Sequence, residues 1–149
     1  HQHEQFKEAN GQSPLPGYAE ILNLLDNWRL PWAWDRTWPF LHNCIDALCK
    51  VNITVFQAQF DVLYAKMAAI VSRPDPRRLS RLVVMVTNIL KDRAIELSRS
   101  GSYADAPEYL NKALAVLSNY LSTIPSDVNA AGMVSKLIVG KAQARMEHN

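Results

Sequence analysis

The chain has 149 residues, of which 48% are apolar and 20% charged, and a net charge of +2. That length suits one domain with a single core, and the composition excludes a disordered chain. A net charge this small argues by itself for neither a nucleic-acid nor a membrane partner, and no apolar run reaches the roughly 18 residues of a transmembrane helix. The charge is uneven: residues 1–74 carry six Lys/Arg against seven Asp/Glu, and residues 75–149 carry ten against seven.

Residues 1–13, HQHEQFKEANGQS, have no apolar period and read as a polar lead. Beginning at His1 rather than Met, the chain reads as a processed mature form or a fragment, of a soluble protein whose compartment the sequence does not specify. Pro14 and Pro16 mark a turn. From there residues 14–149 read as a single helical domain. Ile21, Leu22, Leu25 and Trp28 recur at helical spacing and predict a short helix over about 17–28. RLPWAWDRTWPF follows, a Pro-flanked connector holding Trp32, Trp34 and Trp38.

Pro39 suits the first turn of the next helix. Leu41, Ile45, Leu48, Phe56, Phe60, Leu63, Met67 and Ile70 continue at helical steps and predict one kinked helix over about 39–72. Its weak point is VNITV, 51–55, where four β-branched residues in five lower helix propensity. The same stretch contains Asn52-Ile53-Thr54, an N-glycosylation acceptor pattern. SRPDPRR, 72–78, is a stop and restart, with Asp75 as a cap and Pro76 in the new first turn. Leu79, Leu82, Val83, Val86, Leu90 and Leu97 then stripe a helix ending near Arg99, with Gly101 at a left-handed terminus.

Ser102 to Asp105 can cap the following helix, whose stripe runs from Tyr103 and Ala106 through Leu110, Ala113 and Leu117 to Ile124; Pro125 stops it. Ser126-Asp127 opens a last helix with Val134, Leu137, Ile138 and Ala142 expected on its buried side. The fold expected is all-α: four substantial helices, as an up-down bundle or a helical-hairpin stack, with a short N-terminal helix and a Trp/Pro-rich connector.

Catalysis needs converging groups, and none are spaced for it. His42 and Cys44 are two apart, which on a helix points them to opposite sides. Cys44 and Cys49 sit about 140° apart around an axis of 3.6 residues per turn, too far round to bond each other, and read as small buried apolar residues. The histidines, His1, His3, His42 and His148, match no metal-ligand pattern, and no Glu-x-x-His lies on a core stripe. No cofactor and no enzymatic activity are expected. Two surface features remain. Trp is a frequent interface anchor, so Trp32, Trp34, Trp38 and the neighbouring Arg36 are candidates for holding a partner protein. Arg73, Arg77, Arg78 and Arg81 fall within nine residues opposed only by Asp75, and their planar forks suit carboxylate or phosphate; an anionic surface or nucleic acid is the partner that cluster would take.

Residues 90–125 place small residues, Ala94, Gly101, Ala106 and Ala113, around a helix–turn–helix with Tyr103 just after the turn and Pro125 at the close. In this the stretch resembles a tetratricopeptide-type hairpin. Residues 79–147 are similar in layout to the three helices of microtubule-interacting-and-trafficking domains. The whole chain, with its Pro-rich lead, Trp before a long helix and Pro-broken corner, looks like the PsbQ-type extrinsic subunits of photosystem II. These resemblances imply a helical protein–protein interaction module or scaffold, or a structural subunit of a larger assembly such as an extrinsic subunit, filament or coat protein. They carry no site residues with them.

Overall fold

Helical periodicity accounts for every regular element of the computed structural model, which describes residues 18–28, 34–50, 53, 55, 57–72 and 77–148. Six helices and no strand occur among them: α1 (Tyr18–Asp26), α2 (Trp34–Lys50), α3 (Gln57–Ser72), α4 (Arg77–Arg99), α5 (Ala106–Thr123) and α6 (Val128–His148). The chain is all-α, as the spacing of its apolar residues predicts. The polar lead and the proposed cap at Asp75 lie outside the described residues.

Two boundaries differ from the periodic reading. The helix expected to open at Pro39 opens five residues earlier, at Trp34, and carries Pro39 inside it. Proline there removes one intrahelical bond, and the turn holds because Trp38 and Leu41 on either side of it are buried. The single helix expected over 39–72 is two helices. α2 stops at Lys50 and α3 begins at Gln57, with Ile53 and Val55 in turn conformation between them. β-branched side chains weaken the helix here, and a side chain from elsewhere takes over its hydrogen bonds. The Tyr109 hydroxyl of α5 donates to the Cys49 carbonyl at 3.2 Å and accepts from the Ile53 amide at 3.2 Å.

α1 packs on α3, burying Tyr18 and Leu25, with an ion pair between Asp26 and Lys66 at the edge. Trp28, just beyond α1, stacks on Phe40 of α2 with ring centroids 5.3 Å apart. α2 and α3 both lean on α4. Phe60, Leu63 and Met67 of α3 are fully buried; burying a side chain of this kind contributes about 1.5–3 kcal/mol. α4 is the central element, in contact with α2, α3, α5 and α6. Its stripe Leu82, Val83, Val86 and Leu90 has no exposed surface.

α4 ends in a Schellman motif. Gly101 has φ +89°, the Ser102 amide reaches the Leu97 carbonyl at 2.8 Å, and the Gly101 amide reaches Ser98 at 3.2 Å. α5 then returns along α4, burying Ala106, Tyr109, Leu110, Ala113, Val116, Leu117 and Tyr120. Asp105 stands at its N-terminus without capping it through its side chain. Asp127 does cap α6: its carboxylate accepts the Ala130 amide at 3.1 Å, the Ser80 hydroxyl at 2.6 Å and the Tyr120 hydroxyl at 2.6 Å. One side chain thus ties the start of α4, the end of α5 and the start of α6, and the three helices run up, down and up.

Candidate functional site

The two surface features singled out from sequence fare differently. Trp38 is 8% exposed, and the Arg81 guanidinium lies 4.6 Å from its ring centroid. Trp38 is therefore a core residue covered by a cation, not a partner-facing anchor, and Arg81 is drawn from the Arg cluster to stack on it. Arg77 is exposed and Arg78 half-buried at the start of α4. Trp32 and Arg73 lie outside the described residues, as do the side chains of Trp34 and Arg36. The structure brings the Trp and Arg features together at the contact of Trp38 with Arg81.

The cysteines behave as their spacing predicts. Both are free and buried. Burial pushes the Cys44 thiol up to about 11. Burial, with the nearby Asp46 carboxylate adding to it against a smaller opposite effect of Arg93, pushes Cys49 up to about 12. A thiol held protonated is a poor nucleophile and a poor metal ligand. His42 is exposed while Cys44 is buried, so the two do not meet. Among the described residues no group of three His, Cys, Asp or Glu side chains could hold a metal ion, and no helix is long and apolar enough to cross a membrane.

A concavity lies where no candidate had been placed. It is an open groove of about 880 Å³ between the second halves of α4 and α6. Because α4 and α6 flank α5 in the same direction, their facing sides run parallel. The α4 wall is Lys91, Ala94, Ile95, Ser98 and Arg99, a helical face at i, i+3, i+4, i+7 and i+8. The α6 wall is Lys136, Val139, Gly140 and Gln143, at i, i+3, i+4 and i+7. Leu110 of α5 and Leu137, both buried, form the floor, and Tyr103 from the α4–α5 turn stands at one end. A smaller recess of about 180 Å³ continues it by one turn toward Asn88 and Met133.

The groove is deep because small residues line it: Ala94, Ser98, Ser135 and Gly140. A Cβ added at Gly140 would meet nothing within 4 Å. Its apolar surface is open to solvent, with Ile95 39% and Val139 55% exposed. Among the described residues its charge is of one sign. Lys91, Arg99 and Lys136 line it, no carboxylate does, and none of the three is ion-paired among the described residues.

Sequence reasoning missed this site for a definite reason. The last helix was expected to bury Val134, Leu137, Ile138 and Ala142. Leu137 is buried and Val134 half-buried, but Ile138 is 55% exposed and Ala142 is exposed. α6 is held mainly through Ala130, Met133, Val134 and Leu137, in its first half. Its second half keeps apolar residues, Ile138 and Val139, that no neighbour covers among the described residues. The signal in the sequence was small residues on helical faces, of which Ala94 had been assigned to the α4–α5 hairpin. No family model, curated protein or solved structure matches the chain.

Proposed function

We propose that the chain is a non-enzymatic helical interaction module that docks a partner protein in the groove between α4 and α6. The observation that carries this reading is the groove: a preformed, open concavity with exposed Ile95 and Val139, small residues in its walls, and cations on its rim that form no ion pair among the described residues. Exposed contiguous apolar surface is unfavourable in water unless something covers it, and a concave apolar site with a few polar groups is the usual form of a binding site.

The reading is tested by filling the groove. Wild-type chain and Gly140→Leu are used as paired baits in extracts of the native source, with captured proteins quantified by mass spectrometry. A stoichiometric protein held by the wild type and lost by the variant is expected. Equal capture by both removes the groove from the reading, and no stoichiometric protein with either removes the docking function.

A second reading, a permanent subunit of a larger assembly, is favoured by exposed apolar residues of α6 outside the groove lining. Val128, Ile138 and Met146 are 81%, 55% and 76% exposed and do not line the groove. A chain of this kind sediments in native extract with a complex of fixed composition, and recovery as the free chain counts against it. The anion or nucleic-acid reading rests on Arg73, Arg77 and Arg78, with Arg81 committed to Trp38.

A further inference from the structure

The geometry points to one class of occupant for the α4–α6 groove: an acidic amphipathic helix, with large apolar residues at i, i+3 or i+4, and i+7 and Asp or Glu beside them. The inference rests on the docking reading above and names the chemistry of the partner.

The backbone of the occupant follows from the walls. Both are helices, whose amides and carbonyls bond within themselves along the groove. A peptide in extended form gains affinity by adding a strand to a sheet edge, and no strand exists among the described residues. An extended occupant would depend for its buried amides on the few wall side chains that can accept, Ser98, Ser135 and Gln143, and each amide beyond their reach would leave a hydrogen bond unmade. A helix satisfies its own backbone and needs only side-chain contact. Two parallel walls also leave a linear trough, into which a third rod fits along its length.

The length follows from the same walls. Lys91 to Arg99 spans about 12 Å at 1.5 Å per residue, and the recess at Asn88 brings this to about 17 Å, or about three turns. Three turns present apolar side chains at i, i+3 or i+4, and i+7 to one face. Their size follows from the space over Ala94, Ser98 and Gly140: the walls supply small side chains, so the occupant supplies large ones. Its charge follows from the rim. Lys91 and Arg99 flank the trough on one side and Lys136 on the other, with no carboxylate lining it among the described residues. Carboxylates beside the apolar stripe would pair with all three, whereas a basic helix would meet like charge at each.

The test is selection from an unbiased display library of 16-residue peptides, with the wild-type chain as bait and Gly140→Leu and Lys136→Glu as counter-baits, followed by anisotropy titration of the enriched peptides. Gly140→Leu places a side chain in open groove space and is expected to melt at or above the wild-type temperature, since leucine is the better helix former. Lys136 is exposed, so its reversal leaves the fold intact. The expected result is enrichment of acidic peptides with the stated spacing, gaining helical circular dichroism when bound. Binding should weaken at least about tenfold with either variant and weaken as salt is raised. Groove-dependent peptides that are basic, neutral or extended would overturn the acidic helix while leaving docking in place. Absence of any peptide sensitive to Gly140→Leu overturns both. Self-association of the wild type that Gly140→Leu abolishes makes the occupant a second copy, and also overturns the inference.

Discussion

Tyr109→Phe removes one buried oxygen and leaves the ring in place, so its effect isolates the joint between α2 and α3. The side chain is 3% exposed. Its hydroxyl donates to the Cys49 carbonyl and accepts from the Ile53 amide, each at 3.2 Å. Without the hydroxyl, the carbonyl and the amide lose a partner at the point where helical bonding lapses. A stranded buried group costs about 1–3 kcal/mol. The amide bond is at the long end of its normal range and the hydroxyl bond slightly beyond its own, which places each near the lower end, for a total of about 2–3 kcal/mol. For a chain of this size that lowers the melting temperature by about 4–12 °C. Urea denaturation followed by circular dichroism measures the loss, and hydrogen exchange at the Ile53 amide localises it. A loss below about 0.5 kcal/mol, smaller than a single net hydrogen bond usually contributes, with exchange at Ile53 unchanged, would refute the assignment of Tyr109 as the pin of this joint.

Asp127→Ala breaks the tie between α4, α5 and α6 and is expected to destabilise by about 1–3 kcal/mol at neutral pH. The Ser80 hydroxyl first, then the Tyr120 hydroxyl and the Ala130 amide, hold the Asp127 carboxyl below its ordinary value. Its contribution is therefore present above the unfolded value of about 4 and is lost as pH falls through the folded one. The stability gap between wild type and variant should close as pH drops below about 4; a gap that stays constant there rules the linkage out. Thr87 is fully buried in α4 and its hydroxyl has no partner among the described residues. Thr87→Val should stabilise by about 1 kcal/mol in urea titration, and a destabilised variant would mean the hydroxyl is bonded. Trp38→Ala should cost about 3–5 kcal/mol, as for a large core residue; an unchanged melting temperature would return Trp38 to the surface. Cys44 and Cys49, with thiols pushed up to about 11 and about 12, should react with a disulfide reagent at pH 8 only as fast as the chain opens. Labelling of the native protein at the rate of free cysteine would contradict their burial.

The α4–α5 hairpin was the most legible part of the sequence. Its apolar stripe, its left-handed Gly101 and its stop before Pro125 all depend on interactions within a few residues, and such interactions are written locally. Asp127 was legible as the opening of a helix but not as the anchor of three, because Ser80 lies 47 residues away. The division of 39–72 was legible only as a weakness. Four β-branched residues in VNITV lower helix propensity, but a break there also needs a group to receive the freed backbone, and that group is Tyr109, 60 residues from Cys49. Trp38 and Arg81 were each singled out, and their pairing was not.

The sequence by itself determined the class of the fold, most helix ends and the inertness of the cysteines, because periodicity, capping and spacing are properties of neighbouring residues. Tertiary structure decided which apolar faces are covered. α4 and α6 each carry a face at helical spacing, and nothing local distinguishes a face that meets a neighbour from one that meets water. That depends on where Asp127 anchors α6 against Ser80 and Tyr120, and on α6 being held through its first half. The groove at Lys91, Gly140 and Lys136 exists for that reason.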